Sequence, residues 1–187
     1  KKCIVYYWFV WVKFIVNKFN LFQLSTGDLL RNEIKNKTPL GSKISTIINS
    51  GELVSDKIVS NLIEKFVSND NYKNKIIFDG YPRSLIQAKN LDDLLIKYKQ
   101  KIDIVLKLSV SLETVKKRIL ERQSLEKRAD DNEEIAIKRY KTYEKSTEPV
   151  LEYYNKSNLL KIVNGEAGIS EINKEISGLI NAIKGWH

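Results

Sequence analysis

The sequence predicts an α/β fold with a parallel sheet covered by helices on both faces. Three observations carry that prediction. Short apolar runs alternate along the chain with stretches whose apolar residues recur at helical spacing. One run, Lys75-Ile-Ile-Phe-Asp79, is bounded by Gly80 and Pro82 and reads as a buried strand. No internal repeat, linker or low-complexity tract divides the 187 residues, so residues 1–187 read as one domain with a substantial core.

Each element follows from its local pattern. Ser25 or Thr26 can cap a helix running through Arg31. Ser55–Ser68 is helical, with Ile58, Val59, Leu62, Ile63 and Phe66 on its inner face. After the strand at 75–79, Ser84–Tyr98 carries Leu85, Ala88, Leu91, Leu94 and Leu95 at helical spacing. Ile102–Val110 is a second strand, and Ser111 caps a helix to about Gln123, with Leu112, Val115, Ile119 and Leu120 inward. Asn132–Lys156 is a long helical stretch that Pro149 is expected to kink or break. Leu159–Val163 is a strand ended by Asn164-Gly165, and Ile169–Ile183 is the final helix.

Composition narrows the chemistry. The net charge of +9 suits an anionic partner, whether nucleotide, nucleic acid or membrane, but the lysines are scattered and equally suit a solvated surface. Cys3 is the single cysteine, which excludes an internal disulfide and a multi-cysteine zinc site and fits a reducing cytoplasm. His187, the single histidine, stands at the C-terminus, against Ser-His or Cys-His catalysis. Cys3–Val12 is strongly apolar but too short to span a bilayer, and it lacks a signal-peptide cleavage site. With no basic-aromatic recognition motif beside it, neither a membrane nor a nucleic-acid partner is expected. The chain starts at Lys1 and contains no methionine, which reads as a processed or truncated product.

Three motifs carry the function. Asp79-Gly80-Tyr81-Pro82-Arg83 puts an acid at a strand's carboxyl end, then a turn, then an arginine. Ligands of open α/β sheets bind beyond those ends. An acid there can orient magnesium through water, and an arginine can grip a phosphate with two donors. A plain strand-terminal turn with a surface arginine is the bland alternative. Ser25-Thr-Gly-Asp-Leu-Leu-Arg31 places small polar residues before a helix, where N–H groups face an anion, or else merely caps that helix. Arg118 and Arg122 share a helix face, and Arg128, Asp130, Asp131 and Arg139 follow. Four guanidinium groups at one cleft would stabilise a transferring phosphoryl group; a salt-bridged surface is the alternative.

In order and spacing, these motifs together resemble the adenylate kinase family. Leu24–Arg31 is similar to the start of its AMP-binding region, Ser50–Asp56 to its following AMP loop, and Phe78–Arg83 with Gln87 to its AMP phosphate and adenine site. Arg118, Arg122, Arg128-Ala-Asp-Asp131 and Arg139 resemble the borders of its lid. The resemblance implies a P-loop NTPase-like parallel five-stranded sheet, an AMP-binding region at about 25–54 and a short lid at about 122–130. It further implies AMP binding by Thr26, Arg31, Glu52, Leu53, Val54, Gly80, Arg83, Gln87, Arg128 and Arg139, with Thr26 favouring AMP over pyrimidine monophosphates. ATP would be met by Arg118, Arg122, Gly165 and Ala167. Catalytic roles fall to Arg83, Arg122, Arg128, Arg139 and Asp79, the last reaching Mg2+ through water. Only Gln123–Lys127 separates Arg122 from Arg128, so no lid domain and no structural zinc are implied. The implied protein is a cytoplasmic monomer whose partners are ATP, AMP and ADP.

One part departs from the family. Lys13–Gln23 fits the later part of the first helix and the next strand, so the Gly-x-x-x-x-Gly-Lys loop is expected at about Val5–Val10. Trp8 stands about where its lysine belongs, no glycine precedes Gly27, and no Gly-Lys pair occurs. The first strand and loop are therefore expected to be abnormal, through a shifted reading frame or a genuine change across residues 1–12. Losing the phosphate cradle would cost on the order of 5 kcal/mol of transition-state stabilisation. The readings are a kinase impaired on its ATP side and an AMP-binding protein without catalysis.

Overall fold

The structure is a computed structural model that describes residues 3–7, 12–50, 52, 54–126 and 133–183. Its elements run β1 (Cys3–Tyr7), α1 (Val12–Phe19), β2 (Phe22–Ser25), α2 (Thr26–Lys35), α3 (Pro39–Asn49), α4 (Asp56–Val67), β3 (Ile76–Asp79), α5 (Leu85–Lys97), β4 (Ile102–Ser109), α6 (Leu112–Glu126), α7 (Glu133–Lys156), β5 (Leu160–Asn164) and α8 (Ile169–Asn181). The strands form one sheet in the order β2-β3-β1-β4-β5, and every pairing is parallel.

Alternation along the strands sorts side chains onto two faces. Ile76, Phe78, Ile102 and Val105 join Leu62, Ile63, Leu91, Leu95, Val150 and Tyr154 from α4, α5 and α7. Ile77, Ile104, Leu106 and Leu108 join Val12, Ile15, Ile172, Ile176 and Ile180 from α1 and α8. Helices thus cover both faces, as a parallel sheet requires.

Several boundaries follow capping chemistry. Of the two candidates for α2, Ser25 is the N-cap; its hydroxyl accepts from the Asp28 N–H at 3.3 Å. Ser84 caps α5 in the same way, accepting from Gln87 N–H at 3.1 Å. Helix α3 has no counterpart among the sequence expectations, although Thr38 caps it and Pro39 opens it. Helix α7 is continuous through Pro149, so the break does not occur. Thr147, Val150, Leu151 and Tyr154 are buried on either side of the proline, and that packing offsets the one lost backbone bond.

The N-terminal segment corrects one expectation. Val5, Tyr6 and Tyr7, assigned from sequence to the loop, lie in β1 and pair with Phe78, Asp79 and Lys107. A register shift falls between Cys3 and Ile4 on the β4 side. Only residues 8–11 separate β1 from α1. The position assigned to Trp8 lies outside the described residues.

The approach to β3 depends on one buried amide. Gln100, 5% exposed, accepts from Asn74 N–H at 2.7 Å and donates to the Val67 carbonyl at 2.9 Å. Asn74 has φ +53 in the turn that launches β3. Gln100→Ala is expected to lower unfolding free energy by about 2 kcal/mol, because it strands a backbone donor and an acceptor. A urea titration measures this; an unchanged midpoint would mean that water replaces the amide without cost.

Candidate active site

Strand register brings the candidate residues to one edge of the sheet. Ser25 and Tyr6 both lie level with Asp79, Tyr7 with Lys107, and Ser109 with Asn164. These are the carboxyl ends of all five strands, the edge at which open α/β sheets take ligands.

On the β2–β3 side, the Gly80 carbonyl is a junction. Arg83 Nε donates to it at 2.8 Å, and Thr26 Oγ1 donates at a long 3.5 Å. Gly80 has φ +67, and a Cβ there would come within 2.9 Å of Arg83 Nη2, so glycine serves both the turn and the approach of the guanidinium. The Arg83 backbone N–H donates to Gln87 Oε1 at 2.7 Å, while Gln87 Nε2 donates to Asp56 Oδ1 at 2.7 Å. Gln87 is 3% exposed, so both ends of its amide are fixed. Asp79, 4% exposed, accepts from Gln23 Nε2 at 2.8 Å. Arg31 folds back on Asp28 at 2.5 Å, over a surface that Gly27 leaves open: a Cβ there would lie 3.0 Å from Arg31 Nη2.

On the β4–β5 side, Arg118 Nη2 donates to the Gly165 carbonyl at 2.7 Å, and Gly165 N–H donates to the Ser109 carbonyl at 2.8 Å. Gly165 has no room for a side chain, since a Cβ would meet Val110 Cγ1 at 2.4 Å. Ala167 N–H closes the same turn onto the Asn164 carbonyl at 3.5 Å. Glu166 reaches the start of α6, where Thr114 Oγ1 and the Ser111 N–H each donate to it at 2.6 Å. Those two bonds, the Thr114 hydroxyl first, hold its carboxyl below the ordinary carboxylate range. A depressed carboxylate contributes stability that is present above its unfolded value and lost as pH falls through its folded one. Melting curves taken from neutral pH downward should therefore show an acid-dependent drop that Glu166→Gln makes shallower, the depressed carboxyl of Glu64 contributing the same way. An identical acid profile in that variant would exclude Glu166 as its source.

Of the other expected site residues, Val54 is buried in the core against α4 and α5, and Glu52 is exposed, with Oε1 3.5 Å from Lys138 Nζ on α7. Leu53, Arg128, Asp130 and Asp131 lie outside the described residues, as do the side chains of Arg122 and Arg139.

The family described as Adenylate kinase matches residues 11–159. An adenylate kinase of Pelagibacter ubique (strain HTCC1062) is 41% identical over 89% of this chain and 90% of its own length. That of Flavobacterium psychrophilum is 37% identical over 90% of each, and that of Prochlorococcus marinus (strain MIT 9515) is 42% identical over 82% and 81%. This chain belongs to the adenylate kinase family. It is by family a kinase, a nucleotide-binding phosphotransferase.

Adenylate kinases act on nucleotides with Mg2+, and Asp79 can be tested for it. It is one buried carboxylate at a strand end, and among the described residues no three acidic, histidine or cysteine side chains gather. That suits a magnesium ion that keeps its waters and touches the protein through them, rather than one caged by protein ligands.

Sequence reasoning missed the supporting residues. Gln23 orients Asp79 and Asp56 orients Gln87. Gln23 could have been found from its place two residues before Ser25 in a strand; Asp56 closes the Ser50–Asp56 motif, but nothing in that motif tied it to Gln87.

Proposed function

We propose that this chain is a nucleoside monophosphate kinase that transfers the γ-phosphoryl group of Mg-ATP reversibly to AMP, giving two ADP, and that its ATP side is weakened. In the forward direction an α-phosphate oxygen of AMP bonds to the γ-phosphorus of ATP, and the bond from that phosphorus to the β,γ-bridging oxygen breaks. The observation that carries this reading is the junction at Gly80, where one carbonyl accepts from both Thr26 and Arg83 while Gln87 holds the Arg83 backbone. It fits a monophosphate nucleotide: Arg83 and Arg31 for the phosphate, Thr26 and Gln87 for the base, with the backbone at Glu52, Leu53, Val54 and Gly80 around it. Arg122, Arg128 and Arg139 would neutralise the transferring group, Arg118, Gly165 and Ala167 would border ATP, and residues 122–130 would form the short lid. Asp79 would hold Mg2+ through water, and the ion would supply neutralisation of phosphate charge.

The weakness follows from composition. In the sequence, no glycine precedes Gly27 and no Gly-Lys pair occurs, so the chain lacks the residues of a Gly-x-x-x-x-Gly-Lys cradle. A second reading, an AMP-binding protein without turnover, draws on the same contrast. Calorimetry and a coupled ADP assay separate them. AMP binding with slow but measurable turnover, lost in Arg83→Ala, supports the kinase; AMP binding with no turnover above background supports the binding protein; no AMP binding overturns both. The protein is expected to elute as a monomer.

A further inference from the structure

Between β4 and α7 lies a cavity of about 140 Å³ lined by Lys107, Tyr143, Thr147, Glu148 and Leu151. Three features make it more than a packing gap. Thr147 is fully buried, yet its hydroxyl has no hydrogen-bond partner. A buried hydroxyl left unmatched costs about 1–3 kcal/mol, so something that hydrogen-bonds belongs beside it. Lys107, half-buried, brings an ammonium group to the same space. Tyr143 stands one helical turn before Thr147 and lines the same space. A dry cavity is normally apolar, and this one is not.

The geometry points to this cavity as a binding site for a tetrahedral phosphoryl group, held by the Lys107 ammonium and the Thr147 hydroxyl, with Tyr143 on its wall. One cation beside one unmatched buried hydroxyl favours an anion over a cation. Glu148 is exposed, so its charge is solvated and a bound anion would sit on the deeper donors. The place in the fold selects phosphate among anions. Lys107 lies two residues before the end of β4 and level with Tyr7, the last residue of β1. It thus delivers a lysine charge at the sheet edge where the chain has no Gly-Lys pair. The phosphoryl group can be free phosphate or the terminal phosphate of ATP. Only the second source rests on the kinase reading above.

Amide shifts of Tyr143 and Thr147 followed by NMR, with inorganic phosphate and ATP titrated separately, test the site. Lys107→Gln keeps most of the stem and removes the charge; Thr147→Val keeps the shape and removes the hydroxyl. Each is expected to weaken phosphate binding at least ten-fold, while calorimetry finds AMP affinity changed less than two-fold. Weakening of both phosphate and ATP assigns the site to the nucleotide, and weakening of phosphate alone assigns it to the free ion. Either supports the site. No shift at Tyr143 or Thr147 with either probe, or unchanged affinities in whichever variants fold, overturns it. An AMP titration without binding would instead sink the kinase reading and leave the phosphate titrations readable.

Discussion

Replacing Trp8-Phe-Val-Trp11 with a Gly-x-x-x-x-Gly-Lys-Thr loop between Tyr7 and Val12 is expected to raise ADP formation by several thousand-fold. Both ends of the graft already have anchors. Strand β1 sits in the middle of the sheet, paired with β3 on one side and β4 on the other, and α1 begins with the fully buried Val12. Successive N–H groups of such a loop form an anion nest, and glycine permits the path they need. The lysine neutralises β- and γ-phosphate charge, and the threonine meets the magnesium ion. Together these contacts are worth on the order of 5 kcal/mol at the transition state, a factor of several thousand in rate. Lengthening the connection costs little, about 0.6 kcal/mol for each doubling of a flexible loop. Steady-state turnover of wild type and graft under saturating ATP and AMP is the measurement. Changing the new lysine to alanine should forfeit most of the gain. A graft that folds, binds AMP and turns over no faster would show that the ATP cradle is not what limits this chain.

Legibility of the fold followed the size of the sequence signal. Strand β3 was plain because Ile76, Ile77 and Phe78 form a short apolar run stopped by Gly80 and Pro82, and all three are fully buried. Helix α5 was plain because Ala88, Leu91 and Leu95 recur at helical spacing and are fully buried too. Helix α3 was missed although Leu40, Ile44, Ile47 and Ile48 recur at helical spacing and pack on the core, because that short stripe directly follows α2 and stands between no pair of apolar strand runs. At the N-terminus, counting back from the family pattern put a loop where Val5, Tyr6 and Tyr7 make strand. Apolar, β-branched and aromatic residues suit a central strand far better than a phosphate loop, and that local preference won over the family count. The candidate site divides in the same way. Thr26, Gly80, Arg83 and Gln87 belong to motifs and are drawn together by hydrogen bonds, whereas their supports, Gln23 and Asp56, come from other strands and helices. Such contacts are set by tertiary register, with Ser25 level with Asp79, and no local spacing encodes that.

Arg83→Ala is expected to weaken AMP binding about 100-fold, or about 2.7 kcal/mol, while leaving the fold intact. The fold is spared because the backbone contact is independent of the side chain: Gln87 Oε1 accepts from the Arg83 main-chain N–H. What disappears is the guanidinium, whose plane is fixed by its Nε bond to the Gly80 carbonyl. An oriented guanidinium presents parallel donors to a phosphate, and charge-assisted bonds of that kind are about twice as strong as neutral ones. Arg83→Lys keeps the charge but loses the fork, so its affinity should fall between the two. Gly80→Ala tests the same arrangement from the other side. Its Cβ would press on Arg83 Nη2 from 2.9 Å and force alanine into φ +67, displacing the guanidinium without removing it. Calorimetry with AMP, beside thermal melts of these three variants and of Gln87→Ala, gives the ordering. Wild-type affinity in Arg83→Ala would mean that the AMP phosphate lies elsewhere. A melting temperature lowered as far in Arg83→Ala as in Gln87→Ala, which strands both the Arg83 N–H and Asp56, would mean that Arg83 serves the turn and not the ligand.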